Sequence, residues 1–228
     1  MKIIFYGHSC FKIITEKGKK ILIDPWITNP LSPKEVDTGP YDFILITHAH
    51  RDHLGDVLKI ARNGNPEIIA IHEIQQYLLN QGISKVTGMN LGGTYKVADL
   101  KFTMVPALHS SSFPDGKYGG EPCGFVITLE NGISLYHAGD TGLFYEMKLI
   151  QELYYPKIVF LPIGDHYVMG PKEAAKACDL LRPEIVIPMH YGTFPILSGT
   201  VENFEKELKK YNLPITIIVL KPGEEFSL

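Results

Sequence analysis

The chain has little cysteine, and what it has is scattered. Cys10, Cys123 and Cys178 are odd in number and lack the close spacing of a metal-binding pair. That argues against a disulfide framework and points to a reducing cytoplasm. Neither sign of charge dominates: 22 Lys and Arg against 25 Asp and Glu leave a net charge of −3, so no cationic footprint argues for nucleic acid. No apolar stretch approaches the length needed to span a membrane, and Met1 runs straight into a strand without the apolar core of a signal peptide. What remains is an ordinary globular composition, 45% hydrophobic and 21% charged over 228 residues, which predicts one α/β domain over 1–228 with a sizeable core.

Against this plain background one stretch stands out, Tyr41 to Gly64. Phe43-Ile44-Leu45-Ile46 is an apolar run too short for a helix and rich in strand-preferring residues. Thr47-His48-Ala49-His50-Arg51-Asp52-His53 follows at once. Leu54, Val57, Leu58 and Ala61 then recur at helical spacing up to a stop at Asn63-Gly64. Four ligand-type side chains therefore sit on the turn between a buried strand and an amphipathic helix. Strand alternation puts His48 and His50 on one side, with Asp52 and His53 farther round the bend. This suits two adjacent divalent ions better than one, since imidazole and carboxylate are ligands that zinc accepts.

The same grammar recurs along the chain. Apolar runs end in a ligand-type residue at His48, His109, Asp140, Asp165-His166 and His190. Functional groups gather where strands terminate, because the rigid sheet holds the loops there. Five such endings describe one site assembled from distant pieces. Further strands are expected at Lys2–Tyr6, Phe11–Ile14, Lys20–Ile23, Glu67–Ile71, Thr94–Val97, Leu100–Val105, Gly124–Leu129, Ile133–Tyr136, Ile158–Ile163, Ile185–Pro188 and Ile215–Leu220. Helices are expected at Glu73–Asn80, Leu143–Leu153, Pro171–Leu181 and Val201–Tyr211. A weak internal echo links Phe11–Asp24 with Phe125–Asp140: both open on an aromatic residue, turn at a glycine and end in aspartate. It suggests two similar halves packed face to face.

His48-Ala49-His50-Arg51-Asp52-His53 resembles the H-x-H-x-D-H signature of the metallo-β-lactamase superfamily. The chain is most similar there to the small metal-dependent hydrolases related to ascorbate-phosphate lactonases. The resemblance runs from Gly7-His8-Ser9 to Met189-His190-Tyr191-Gly192. It implies a four-layer αββα sandwich with the site along one edge. It also implies that His48, His50 and His109 hold a first ion, that Asp52, His53 and His190 hold a second, and that Asp140 bridges them. Ala107-Leu108-His109-Ser110-Ser111 stands where glyoxalase-like relatives carry a proline-glycine-histidine signature, so the chain departs from that branch.

Other residues are read more openly. Asp52 and His166 are the candidate catalytic groups, Asp52 orienting the nucleophile and His166 protonating or binding substrate. His8 is either a core or supporting histidine or a substrate contact, and Asp165 is assigned to substrate or to support of the site. His72 is placed on the surface and His137 in the interior. Phe113–Gly120 reads as a mobile flap in which Lys117 and Tyr118 contact substrate. Pocket walls are expected from Ile27–Pro40, Phe113–Gly120 and Gly192–Gly199. The expected chemistry is hydrolysis of an ester, lactone or phosphodiester in a small molecule by a hydroxide held between two metal ions. Zinc suits the histidine-rich set, with manganese or iron as substitutes. The alternatives are a nuclease, a redox di-iron protein or a metal-stabilised binding module. A homo-oligomer is an open partner.

Overall fold

A computed structural model describes all residues, 1–228. The first half runs β1 (Lys2–Gly7), β2 (Cys10–Ile14), β3 (Lys20–Ile23), β4 (Phe43–Leu45), α1 (Arg51–Leu54), α2 (Val57–Gly64), β5 (Glu67–Ile71), α3 (His72–Asn80) and β6 (Val86–Met89). Strands β1 to β3 pair antiparallel, and β3 to β6 continue the same sheet in parallel. The second half runs β7 (Thr94–Val97), β8 (Leu100–Pro106), β9 (Cys123–Thr128), β10 (Ser134–His137), α4 (Met147–Tyr154), β11 (Ile158–Pro162), α5 (Pro171–Leu181), β12 (Ile185–Met189), α6 (Val201–Lys209), β13 (Thr216–Ile217) and β14 (Glu225–Ser227). Here β7 to β10 are antiparallel and β10 to β13 parallel, while β14 returns to cover the β1 edge of the first sheet.

The echo between the halves has a structural counterpart. In each sheet a two-stranded hairpin, β2–β3 or β9–β10, passes into three parallel strands. Period-two alternation then decides the layers. Phe125, Ile127, Leu135, Ile158, Phe160, Ile185 and Ile187 point into the core between the sheets. Their neighbours Val126, Tyr136, Val159, Leu161 and Val186 point outward, under α4, α5 and α6. With both faces covered, the parallel strands read as unbroken apolar runs. Phe11 meets Phe160 across the core with ring centroids 4.6 Å apart. The architecture is the expected αββα sandwich.

Several boundaries differ from expectation for local reasons. The helix expected after the histidine motif is two, α1 and α2, broken at Gly55. Gly55 has φ +50°, and a Cβ there would lie 2.6 Å from the Trp26 backbone, so the chain turns sharply against that loop. The helix expected from Leu143 starts only at Met147, and the strand expected over Ile215–Leu220 shrinks to Thr216–Ile217. β6 and β14 are not expected from the sequence, since β6 carries Gly88 and β14 is only three residues long.

The expected flap is a fastened turn. Ser112 and Tyr118 form a β-bridge, Phe113 is buried against Tyr77 with centroids 4.5 Å apart, and Gly119 and Gly120 lie flush on Ala49 and Ile71. Aromatic stacking and close backbone approach, which composition does not reveal, hold it on α3.

Candidate metal centre

The site residues hang from strand ends along one edge of the sandwich. His48 and His50 follow β4, with Arg51 opening α1 so that Asp52 and His53 face back over the edge. His109 follows β8, Asp140 follows β10 and His190 follows β12 directly. Three overlapping groups of donors result: His48, His50 and His109; His8, Asp52, His53 and His190; and His48, His53 and Asp140, each with donor atoms within 4.8 Å of one another. Asp140 lies between the first two. Its Oδ1 is 3.2 Å from His53 Nε2, and its Oδ2 is 3.0 Å from His190 Nε2 and 3.6 Å from His109 Nε2.

This donor set fits metal ions. His53 Nε2, Asp140 Oδ1 and both ring nitrogens of His190 are buried without any hydrogen-bond partner. Burying so many unsatisfied polar atoms is costly unless something answers their lone pairs. Two ligands bound to zinc at about 2.0–2.1 Å at tetrahedral angles stand roughly 3.3 Å apart, close to the spacings around Asp140.

The surrounding hydrogen bonds fix which nitrogen each imidazole offers. Asp24 is fully buried; its Oδ2 accepts from His53 Nδ1 at 2.7 Å and from the Thr47 hydroxyl at 2.8 Å, and its Oδ1 accepts from the Thr47 amide at 2.8 Å. With its own proton directed at Asp24, the Thr47 oxygen accepts from His48 Nδ1 at 3.0 Å. His48 and His53 thus both present a bare Nε2 to the site, the arrangement by which outer partners orient metal-binding histidines.

Backbone strain gathers at the same edge. His8, Asp24, Asp165, His166 and His190 all have φ between +46° and +65°, a region in which non-glycine residues are uncommon. The His190 amide donates to the His8 carbonyl at 2.8 Å, tying the two halves together across the site.

Electrostatics favour the state that binds metal at every shifted ligand but His53. Burial holds His48, His50 and His109 below the usual histidine range. Burial works against ionisation of Asp52, but the His8 hydrogen bond and the nearby His53 pull its carboxyl well down. Asp140, also opposed by burial, is drawn well below the carboxylate range by His190 and His53. His53 is the exception: Asp140 and Asp24 raise it despite its burial, so an ion bound there displaces a proton. Neutral imidazoles and ionised carboxylates are what a divalent ion requires.

The remaining candidates fall in distinct places. A cavity of about 260 Å³ opens over the cluster, with Asp52, His109 and Asp140 at its base and Ser110, Tyr167 and Phe194 as walls. His8 is fully buried, with Nδ1 2.9 Å from Thr193 Oγ1 and Nε2 3.2 Å from Asp52 Oδ2, so it reaches the site through Asp52 rather than through open space. Asp165 and His166 occupy an exposed turn; Asp165 Oδ1 accepts from the His166 amide at 2.7 Å, and Ser198 donates to Asp165 Oδ2 at 3.2 Å. It is the next residue, Tyr167, that lines the cavity. Lys117 pairs with Asp115 at 2.7 Å, and the Tyr118 hydroxyl donates to Glu121 at 2.7 Å; both face a hollow beside α3, away from the cluster. His72 is exposed, and the buried His137 accepts from the Gly139 amide at 3.2 Å, shaping the turn into Asp140.

Sequence reasoning passed over Asp24, Thr47, Thr193, Phe194 and Tyr167. The echo between halves was a signal for Asp24, which ends β3 as Asp140 ends the matching hairpin. Phe194 and Thr193 lie in the Gly192–Gly199 loop that was expected to wall the pocket.

Two packed mixed sheets flanked by helices, with a histidine–aspartate cluster at the strand ends, define a metallo-β-lactamase fold built to hold metal. The beta-lactamase superfamily domain model matches residues 2–190. A UPF0173 metal-dependent hydrolase of Koribacter versatilis is 46% identical, covering 100% of this chain and 98% of its own length. A second, from Methanopyrus kandleri, is also 46% identical, with 100% of each chain covered. A solved metallo hydrolase from the archaeon Ignicoccus hospitalis superposes with TM-score 0.89 at 42% identity, over 100% of this chain and 98% of that one. The chain belongs to the beta-lactamase superfamily, among its metal-dependent hydrolases.

Proposed function

We propose that this chain is a single-domain, dinuclear metal-dependent hydrolase that cleaves an ester, lactone or phosphodiester bond in a small molecule. The observation that carries the reading is the set of buried, unpartnered donors on His53, Asp140 and His190, standing between two groups of ligands. His48, His50 and His109 would hold one ion, Asp52, His53 and His190 the other, and Asp140 would face both. When bound, such a pair supplies a water acidified to near neutrality and a Lewis acid for the oxygen under attack.

The chain's own residues do the rest. Asp52 borders the cavity and is held by His8. Asp24 and Thr47 keep protons off the inward nitrogens of His53 and His48. Tyr167 and Phe194 wall the cavity, and the Asp165-His166 turn sits behind Tyr167, where His166 could reach an extended substrate or its leaving group.

A cavity of about 260 Å³ supports a small-molecule substrate over nucleic acid. The histidine-rich donor set supports zinc, with manganese or iron as substitutes. Scattered free cysteines support a cytoplasmic setting. No helix of the chain is long and apolar enough to cross a membrane.

The test is metal analysis after reconstitution, joined to an activity screen over ester, lactone and phosphodiester substrates. Two ions per chain are expected, with turnover dependent on both. Saturation at a single ion refutes the dinuclear reading, and a fully loaded protein inert towards all three classes refutes the bond assignment.

A further inference from the structure

A second hollow, of about 510 Å³, lies beside α1 and α2 and shares no lining residue with the cavity over the metal cluster. Its rim carries Arg51, Lys59 and Arg62. The chain has only three arginines, and the third, Arg182, is tied to Asp179 at 2.6 Å. The other two both open onto this hollow without a carboxylate partner, as does Lys59. Arg62 makes only a long contact of 3.4 Å to the Gln81 carbonyl. The one acidic residue in the lining, Asp56, is already engaged by the Thr28 amide at 2.9 Å and by the Thr28 hydroxyl at 2.9 and 3.1 Å.

Such an arrangement needs an explanation. Lys59 and Arg62 stand three positions apart on one helix, where like charges destabilise it. The chain as a whole is acidic, so the three cations run against its overall balance. Beside them the wall is apolar: Leu58 and Tyr77 are half-buried, Pro114 is exposed, and Tyr77 is braced by its stack on Phe113. The volume falls within the range of small-molecule sites. A planar guanidinium fork matches a phosphoryl group, and two such forks with a lysine can surround one.

We infer that this hollow binds a soluble organic phosphate. The phosphoryl group is held by Arg51, Lys59 and Arg62, and the apolar portion of the ligand lies on Leu58, Tyr77 and Pro114. The site is independent of the hydrolytic reading, because it involves none of the metal-cluster donors.

Because the chain has three arginines, the test can be read from three side-chain Nε–Hε signals in a nitrogen–proton correlation spectrum. The metal-loaded protein is titrated with pyrophosphate and, separately, with a nucleoside monophosphate. Saturable shifts of the Arg51 and Arg62 signals are expected, with Arg182 unmoved as an internal control and the Arg62 signal assigned by its loss in Arg62→Gln. The double variant Lys59→Gln/Arg62→Gln should bind both probes at least tenfold more weakly with unchanged metal content. The nucleoside monophosphate should also shift the Tyr77 ring, whereas pyrophosphate should not. Phosphate captured only by the metal centre would leave Arg62 unmoved and overturn the site. Equal shifts at Arg182, or parent affinity in the double variant, would do the same. Sedimentation with phosphatidic acid vesicles through the same cations, with no response to the soluble probes, would replace the proposal with a membrane surface.

Discussion

Replacing Asp24 by asparagine changes one atom and reverses the hydrogen-bond logic beneath the candidate metal centre. Asp24 Oδ1 accepts from the Thr47 amide, and that bond can survive in the variant. Asp24 Oδ2 accepts from both the Thr47 hydroxyl and His53 Nδ1. An amide nitrogen in its place meets two donors, so His53 must move its proton to Nε2, the nitrogen turned towards Asp140. The bond lost is charge-assisted and fully buried, worth about 1.5–3 kcal/mol. If that energy serves to keep Nε2 bare, affinity for the ion held by His53 falls roughly 10- to 150-fold. The Thr47 hydroxyl also reorients, so the ion held by His48 is weakened too, though less, since its link to Asp24 runs through Thr47. Competition against a graded series of chelators, with metal counted at each step, measures both losses. Circular dichroism checks that the fold persists. Parent affinity at both positions in a folded Asp24→Asn protein would refute the argument that Asp24 sets the imidazole tautomers.

Other consequences are as direct. Asp52→Ala should cost about 100-fold or more in kcat/KM on an identified substrate, against less than about 10-fold for His166→Ala, because Asp52 borders the cavity while His166 stands behind Tyr167; equal losses would erase that division of roles. Lys117→Ala/Tyr118→Ala should leave kinetics and metal content at parent values, since both side chains are engaged on the α3 side, and a raised KM would reinstate a functional flap. Burial, with the neighbouring His190 second, lowers His8 to about 4. The unfolded chain therefore binds the extra proton first as pH falls, so stability present above the ordinary histidine value near 6.5 is lost between there and about 4. Denaturant melts of the metal-free chain across that window should show the loss, and His8→Gln should lessen it, the buried His48, His50 and His109 keeping the rest; an unchanged slope in the variant would assign the acid sensitivity elsewhere.

What could be read from the sequence was what depends on near neighbours. The H-x-H-x-D-H turn is a local object: an apolar strand, a bend and an amphipathic helix follow each other in the chain, so four ligand positions were legible at once. His109, Asp140 and His190 were legible because the sheet forces a rule on sequence, apolar up to the edge and chemical just beyond it. The core was legible for the same reason, since strands buried on both faces must read as unbroken apolar runs.

The rest required distant pieces to meet. Asp24 looks like any turn aspartate until β3 lies beside β4 and brings its carboxylate under Thr47 and His53. His8 could be a supporting group or a substrate contact until folding buries it between Asp52 and Thr193, which lies 185 residues away in the chain. Gly55 breaks a helix because of the Trp26 backbone, and the Phe113–Gly120 loop is seated on α3 because Tyr77 stacks on Phe113. Arg51, Lys59 and Arg62 become a cluster only when two short helices turn about that glycine to face one hollow. Residue type and spacing determine which side chains are capable of chemistry. Which carboxylate orients which imidazole is decided by hydrogen bonds a few ångströms long, and only the packed sandwich brings their partners within reach.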